Sequence, residues 1–308
     1  MQRRRRAHAP AVVMAYYSQD GDTLSPPGRA ARRLDDPEDS HLVGDLEHCV
    51  LAQRPLMPAV HAWLENHHVN DWNYDNNTLL WFVVASPNMY EEYHSETEAV
   101  AAEDLVALAR DLLARGADPN AAKGHILMAA CEGDCPELMV PLLCEAGADP
   151  NLWKAPWGET PLSMILRDKL WHACGHAPTY AKIHEIARAL LRSGAKLDAC
   201  LTRPQDGKDE SAEDLLQGHE ETMREDFPEL GPGSATVRQF VAIKGIVHGV
   251  RAAKGSYARY VKKEVLVLRA LVRKRRATTA DDNQRTAFDI LARSPDEIAW
   301  RILGFRRW

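Results

Sequence analysis

No run of apolar residues in this 308-residue chain is long enough to cross a bilayer. The two longest clean runs, Ala11 to Tyr17 and Leu79 to Ala85, fall far short of the roughly 20 residues that a spanning helix needs. Cysteine is sparse and unpatterned. Cys49, Cys131, Cys135, Cys144, Cys174 and Cys200 contain no Cys-x-x-Cys pair, so a disulfide framework is not expected and the thiols read as reduced and mostly buried. Catalytic signatures are missing as well: there is no phosphate-cradling Gly-x-x-x-x-Gly-Lys, no Gly-x-Ser-x-Gly elbow and no His-Glu-x-x-His. Carboxylates are abundant, yet none is marked out as half of a general acid–base pair. With 45% apolar and 27% charged residues, the composition is that of an ordinary globular protein, which excludes a fibre and a chain disordered throughout.

Near the amino terminus, Arg3 to Arg6 precede any acid, the first being Asp20. The stretch has a weak likeness to a mitochondrial presequence, but Pro10 interrupts the amphipathic helix that such a leader needs, and no small-residue cleavage site follows to suggest secretion. Met14 is an alternative start that would remove the basic run. From Ser18 to Ser40 the chain is polar and turn-rich, with Pro26, Pro27, Gly28 and the acids Asp35, Asp36, Glu38 and Asp39, so residues 1–40 are expected to be a disordered tail.

Self-similarity organises the middle of the chain. Gly116-Ala117-Asp118-Pro119-Asn120 recurs as Gly147-Ala148-Asp149-Pro150-Asn151, each time after an apolar helix ending in a Leu pair, Leu112-Leu113 and Leu142-Leu143. A weaker third copy reads Leu190-Leu191-Arg192-Ser193-Gly194-Ala195-Lys196-Leu197-Asp198. The glycine suits a helix end at positive φ, and the following proline forbids continuation. Starts of a second kind of helix lie between these ends. Thr160-Pro161-Leu162 places threonine at an N-cap with proline at the first helical position, and Asn76-Asn77-Thr78-Leu79-Leu80-Trp81 and Arg285-Thr286-Ala287-Phe288 hold the same place elsewhere. Ser211-Ala212-Glu213-Asp214-Leu215-Leu216 reads as an eroded start.

These residues resemble the ankyrin repeat, whose period is about 33 and whose signature includes a Thr-Pro-Leu-His helix start. The resemblance is clear from about Ala101 to Ala199, reasonable back to His41 and degenerate beyond Cys200. The family's histidine is missing, with Trp81, Leu127 and Ser163 in its place. The resemblance implies an all-α ankyrin-repeat solenoid of about five or six helix-turn-helix units. Insertions lengthen it around Pro87 to Glu103 and around Trp171 to Thr179. It further implies a protein–protein interaction scaffold, in which a concave face and projecting finger loops grip another protein. Leu80, Ile126, Leu162, Leu112 and Leu142 are then core.

On this reading the loop tips are the candidate partner-binding site. Trp72 and Tyr74 lie in one, Trp153 and Trp157 in another, with Lys123 and Lys154 beside them. Exposed Trp and Tyr are the residues in which interface hot spots are enriched, although the same rings could fold back over neighbouring repeats. A metal site is the sharpest chemical alternative: His172, Cys174 and His176 share one inserted loop and His184 follows on a helix. Their spacing matches no standard zinc pattern, and the competing reading is exposed histidines. His67, His68 and Asp71 are either a ligand set or a helix end rich in histidine. An enzyme built on the repeats would draw on His94, His172 and His176 around a pocket.

The carboxyl third splits by charge. Asp206 to Glu229 holds ten acids against Lys208 and Arg224, whereas Arg251 to Arg276 holds ten cations against Glu264 alone. Val261, Val265, Leu268 and Val272 recur at helical spacing within the second block, so Arg269, Arg273, Lys274, Arg275 and Arg276 gather at the end of an amphipathic helix. Three readings stand: a solvated face paired with the acidic block, a nuclear localisation signal on a nuclear adaptor, or a patch for an anionic partner. The net charge of -6 and the lack of any DNA-binding motif argue against nucleic acid. The expected organisation is therefore a tail over 1–40, an ankyrin-repeat domain over 41–200, an acidic linker or eroded repeat over 201–236, and a basic helical region over 237–308 ending in a degenerate repeat. The expected protein is a cytoplasmic or nuclear monomer that binds another protein, with no membrane, cofactor or metal.

Overall fold

The computed structural model describes residues 56–65, 67–72, 77–85, 101–121, 125–133, 135–152, 158–170, 177–198, 201–202 and 209–278. The expected tail, both long insertions and the degenerate repeat around Phe288 lie outside them. Helix makes up 69% of the interpretable part, as expected for an all-α chain. The helices are α1 (Leu56–Leu64), α2 (Leu79–Val84), α3 (Ala102–Ala114), α4 (His125–Glu132), α5 (Pro136–Glu145), α6 (Pro161–Met164), α7 (Ala177–Arg192), α8 (Ala212–Asp226), α9 (Ala235–Ala252) and α10 (Tyr257–Thr278). Helix α6 runs on into a π-helical turn over Ile165–Lys169. A two-residue antiparallel pair, β1 (Leu201–Thr202) with β2 (Asp209–Glu210), precedes α8.

Side-chain caps start the helices where the sequence places Thr and Ser. Thr78 accepts from the Trp81 amide, and Thr160 and Ser163 close a reciprocal capping box. Ser211 and Asp214 form a second box at α8. A shared turn ends the partner helices. Gly116, Gly147 and Gly194 sit at φ 91°, 92° and 96°, a region that a side chain disfavours. In each turn the next alanine amide reaches back five residues, Ala117 to Leu112, Ala148 to Leu143 and Ala195 to Leu190, at 2.9–3.0 Å. The third turn, eroded in sequence, keeps the geometry of the other two.

The helices pair and stack in two rows. Helices α2, α4, α6 and α8 pack successively in one row, and α3, α5, α7 and α9 in the other; α2 packs on α3, α4 on α5, α6 on α7 and α8 on α9. Helix α1 joins the second row through His61, whose Nε2 lies 3.0 Å from Asp111 Oδ2 on α3. A continuous core fills the space between the rows, including Leu80, Leu108, Leu112, Ile126, Leu143, Leu162, Ile165, Leu190, Leu216, Ile243 and Val247. Leu142, expected in this core, is only half-buried.

Asparagines lock successive turns together. Asn120 Nδ2 donates to the Gly147 carbonyl at 3.0 Å while its Oδ1 accepts from the Asp149 amide at 2.7 Å. Asn151 repeats this on Gly194 and Lys196, and Asn70 on Gly116 and Asp118. The side chain at each turn thus satisfies one donor and one acceptor of the next turn, which sets the spacing of the stack. At the next rung Asp198 stands where asparagine would, and it pairs instead with Arg251 of α9 at 2.6 Å.

Candidate functional site

Each ladder turn leads to the start of the next helix in the α2 row, so the connections 73–76, 122–124 and 153–157 begin and end along one edge of the stack. The finger loops anticipated from sequence fall on these connections, which lie outside the described residues. Of the candidate residues there, Trp72 is described: it is half-buried, and its backbone bridges to Thr78 across the base of the first finger. Tyr74, Lys123, Trp153, Lys154 and Trp157 lie outside the described residues. Beside the edge, the α6 turn carries Arg167, which reaches Glu159 at 2.7 Å and Asp168 at 2.8 Å. Lys169 Nζ from the same turn donates at 3.0 Å to the Glu132 carbonyl at the end of α4.

His172, Cys174 and His176 lie outside the described residues. His184 is a partly buried residue of α7 whose Nδ1 is 3.4 Å from Glu185. His67 stacks on Trp63 with ring centroids 4.3 Å apart, while Asp71 accepts from the His68 amide at 2.9 Å, so this trio shapes the turn after α1. Among the described residues no three His, Cys, Asp or Glu side chains are grouped to hold a metal ion. His94 is outside the described residues.

Two features escaped the sequence. A groove of about 550 Å³ opens along the α3 row, between Arg110 of α3, Leu138 and Pro141 of α5, and Arg188 and Arg192 of α7. Its lining runs along α5 from Glu137 to Glu145 and along α7 from Glu185 to Arg192. No pattern within one segment encodes a groove shared by three helices. The second feature is a buried polar contact: Tyr180 Oη lies 2.9 Å from His219 Nε2, with Phe240 against both rings. Burial pushes the His219 imidazolium down to about 4.

Arg251 ties the carboxyl third to the stack. Its guanidinium grips Glu213 at 2.7 and 2.8 Å as well as Asp198. Against the cost of burial, this pairing holds the Glu213 carboxyl below its usual range. Lys244 reaches Glu220 at 2.5 Å and, chiefly through that hydrogen bond, lowers its carboxyl too. Of the described cations in the Arg251–Arg276 block, Arg251 pairs with the acidic block, whereas Lys254, Arg259, Lys262 and Lys263 are exposed without an ion pair. The backbone of α10 carries positions 269 and 273–276; the side chains of Arg269, Arg273, Lys274, Arg275 and Arg276 lie outside the described residues.

No protein-family model matches the chain, and no curated protein or solved structure matches it significantly. Among the described residues no helix is long and apolar enough to cross a membrane.

Proposed function

We propose that this chain is an ankyrin-like recognition module that binds a partner protein through the face of the α2 row and the fingers beside it, with no chemistry of its own. The observation that carries the reading is the asparagine ladder. It holds four successive turns at a fixed spacing, so the fingers are anchored at both ends on one edge of a preorganised stack. Binding elements held in advance lose less entropy on association, and aromatic anchors on such an edge suit a hot-spot interface.

The test is alanine substitution at Trp72, Trp153 and Trp157 together. The full-length wild-type chain retains a specific partner from extract of its native cell, identified by mass spectrometry. The triple variant loses that partner while its melting temperature stays within about 2 °C. Retention of the partner by the variant, or a melting temperature lowered by more than that, defeats the reading.

A further inference from the structure

Helix α10 packs on α7 and α9, both in the α3 row, so its outward side faces away from the fingers and the α2 row. Its buried side is Tyr257, Val261 and Val265, at intervals of four residues. Tyr260 closes against Gly249 of α9, where a Cβ would collide with the phenol ring. Glu264, the one acid of the helix, is exposed one turn on from Tyr260, and burial first and then the Glu264 charge raise the Tyr260 phenol.

The outward side is different in kind. Arg259, Lys262 and Lys263 stand at i, i+3 and i+4, all exposed and none with an ion pair among the described residues. Leu266 continues the row one turn on and is 56% exposed, with Val267 beside it at 47%. Cations and bare aliphatic side chains therefore share about 12 Å of helix surface. The helix backbone runs on to Thr278. The acidic helix α8 does not neutralise this row: its contacts with basic side chains of the stack go to Arg251 and Lys244 of α9.

We propose that the outward side of α10 is a second docking surface, for an acidic segment of a partner protein that also carries apolar side chains. The complementarity is of two kinds, carboxylates for Arg259, Lys262 and Lys263 and an aliphatic contact for Leu266 and Val267. A phosphate backbone would reward the cations and nothing else on this side, which carries no exposed aromatic ring among its described residues for a base to stack on. A lipid surface would need an apolar face to insert, and Tyr257, Val261 and Val265 are already committed to the stack. This surface is separate from the finger edge and does not depend on it.

The experiment is fluorescence anisotropy with full-length chain and a short fluorescein-labelled peptide of repeating Leu-Glu-Glu-Leu. The expected result is saturable binding that weakens several-fold between about 50 and about 300 mM salt. Lys262→Glu with Lys263→Glu should weaken it at least about tenfold, and Leu266→Ser about threefold, with unchanged melting temperature because these side chains are exposed. A peptide with serine in place of leucine should bind more weakly than the parent. Equal binding by the charge-reversed chain overturns the proposal. So does tighter binding of a short DNA duplex or of phosphatidylserine vesicles than of the peptide, and so does salt-sensitive self-association of the chain that the same substitutions abolish.

Discussion

His219 is 5% exposed and contacts Tyr180 through Nε2, while Nδ1 has no partner. The arrangement balances when Nε2–H donates to Tyr180 Oη and the phenol donates to the Met223 sulfur at 3.5 Å, which leaves Nδ1 a bare acceptor instead of a stranded donor. Protonation would create that stranded donor and bury a charge. The pKa falls from an ordinary 6.5 in the unfolded chain to about 4 in the fold, so the unfolded state binds more protons between those values. Stability should therefore be complete above pH 6.5 and decline as pH falls toward 4, by up to about 3 kcal/mol. Urea unfolding at several pH values reads this directly, and His219→Gln should flatten that part of the profile. A second prediction concerns Gly133, where an added Cβ would lie 2.6 Å from the Val84 carbonyl oxygen. Since backbone has to move, Gly133→Ala should cost about 1–3 kcal/mol in the same assay. Only the packed structure names the carbonyl that Gly133 meets.

At the scale of elements, the helix starts and stops were legible because local chemistry sets them. Thr78, Thr160 and Ser211 all cap the helices that their sequence position suggested. The Gly-Ala turn survives in its third copy, where lysine and leucine replace aspartate and proline, because the φ of Gly194 and the reach of Ala195 to Leu190 need neither. The ladder was half legible. Asn120 and Asn151 stood out in the repeats, but Asn70 follows Val69 rather than a proline and carries no such mark. Replacing Asn120 by alanine should remove two hydrogen bonds between turns and lower stability by about 1–2 kcal/mol, seen as a lower urea midpoint. The β1–β2 pair and α8 together occupy the stretch where sequence allowed either a linker or an eroded repeat.

For the whole molecule, each helix pair touches mainly the next, so energetic terms should be nearly local. Asn70→Ala and Gly249→Ala act at opposite ends of the described stack, and their combined cost in urea unfolding should equal the sum of the single costs within about 0.5 kcal/mol. Strong non-additivity would mean that the stack unfolds through coupling beyond neighbours. The candidate surfaces were legible to different degrees, for a reason of scale. Aromatic finger residues announce themselves by type, and the cationic block by count. Whether acids and bases within one chain find each other depends on how helices far apart in sequence are turned, and here Arg251 is paired while Arg259, Lys262 and Lys263 are not. The sequence alone determined helical content, caps, turn geometry and the periodic stacking unit, because these depend on residues within a few positions of one another. Tertiary structure alone decided the groove over α5, the buried contact of Tyr180 with His219 and the uncompensated side of α10. Each of these is a relation between segments whose juxtaposition no local pattern records.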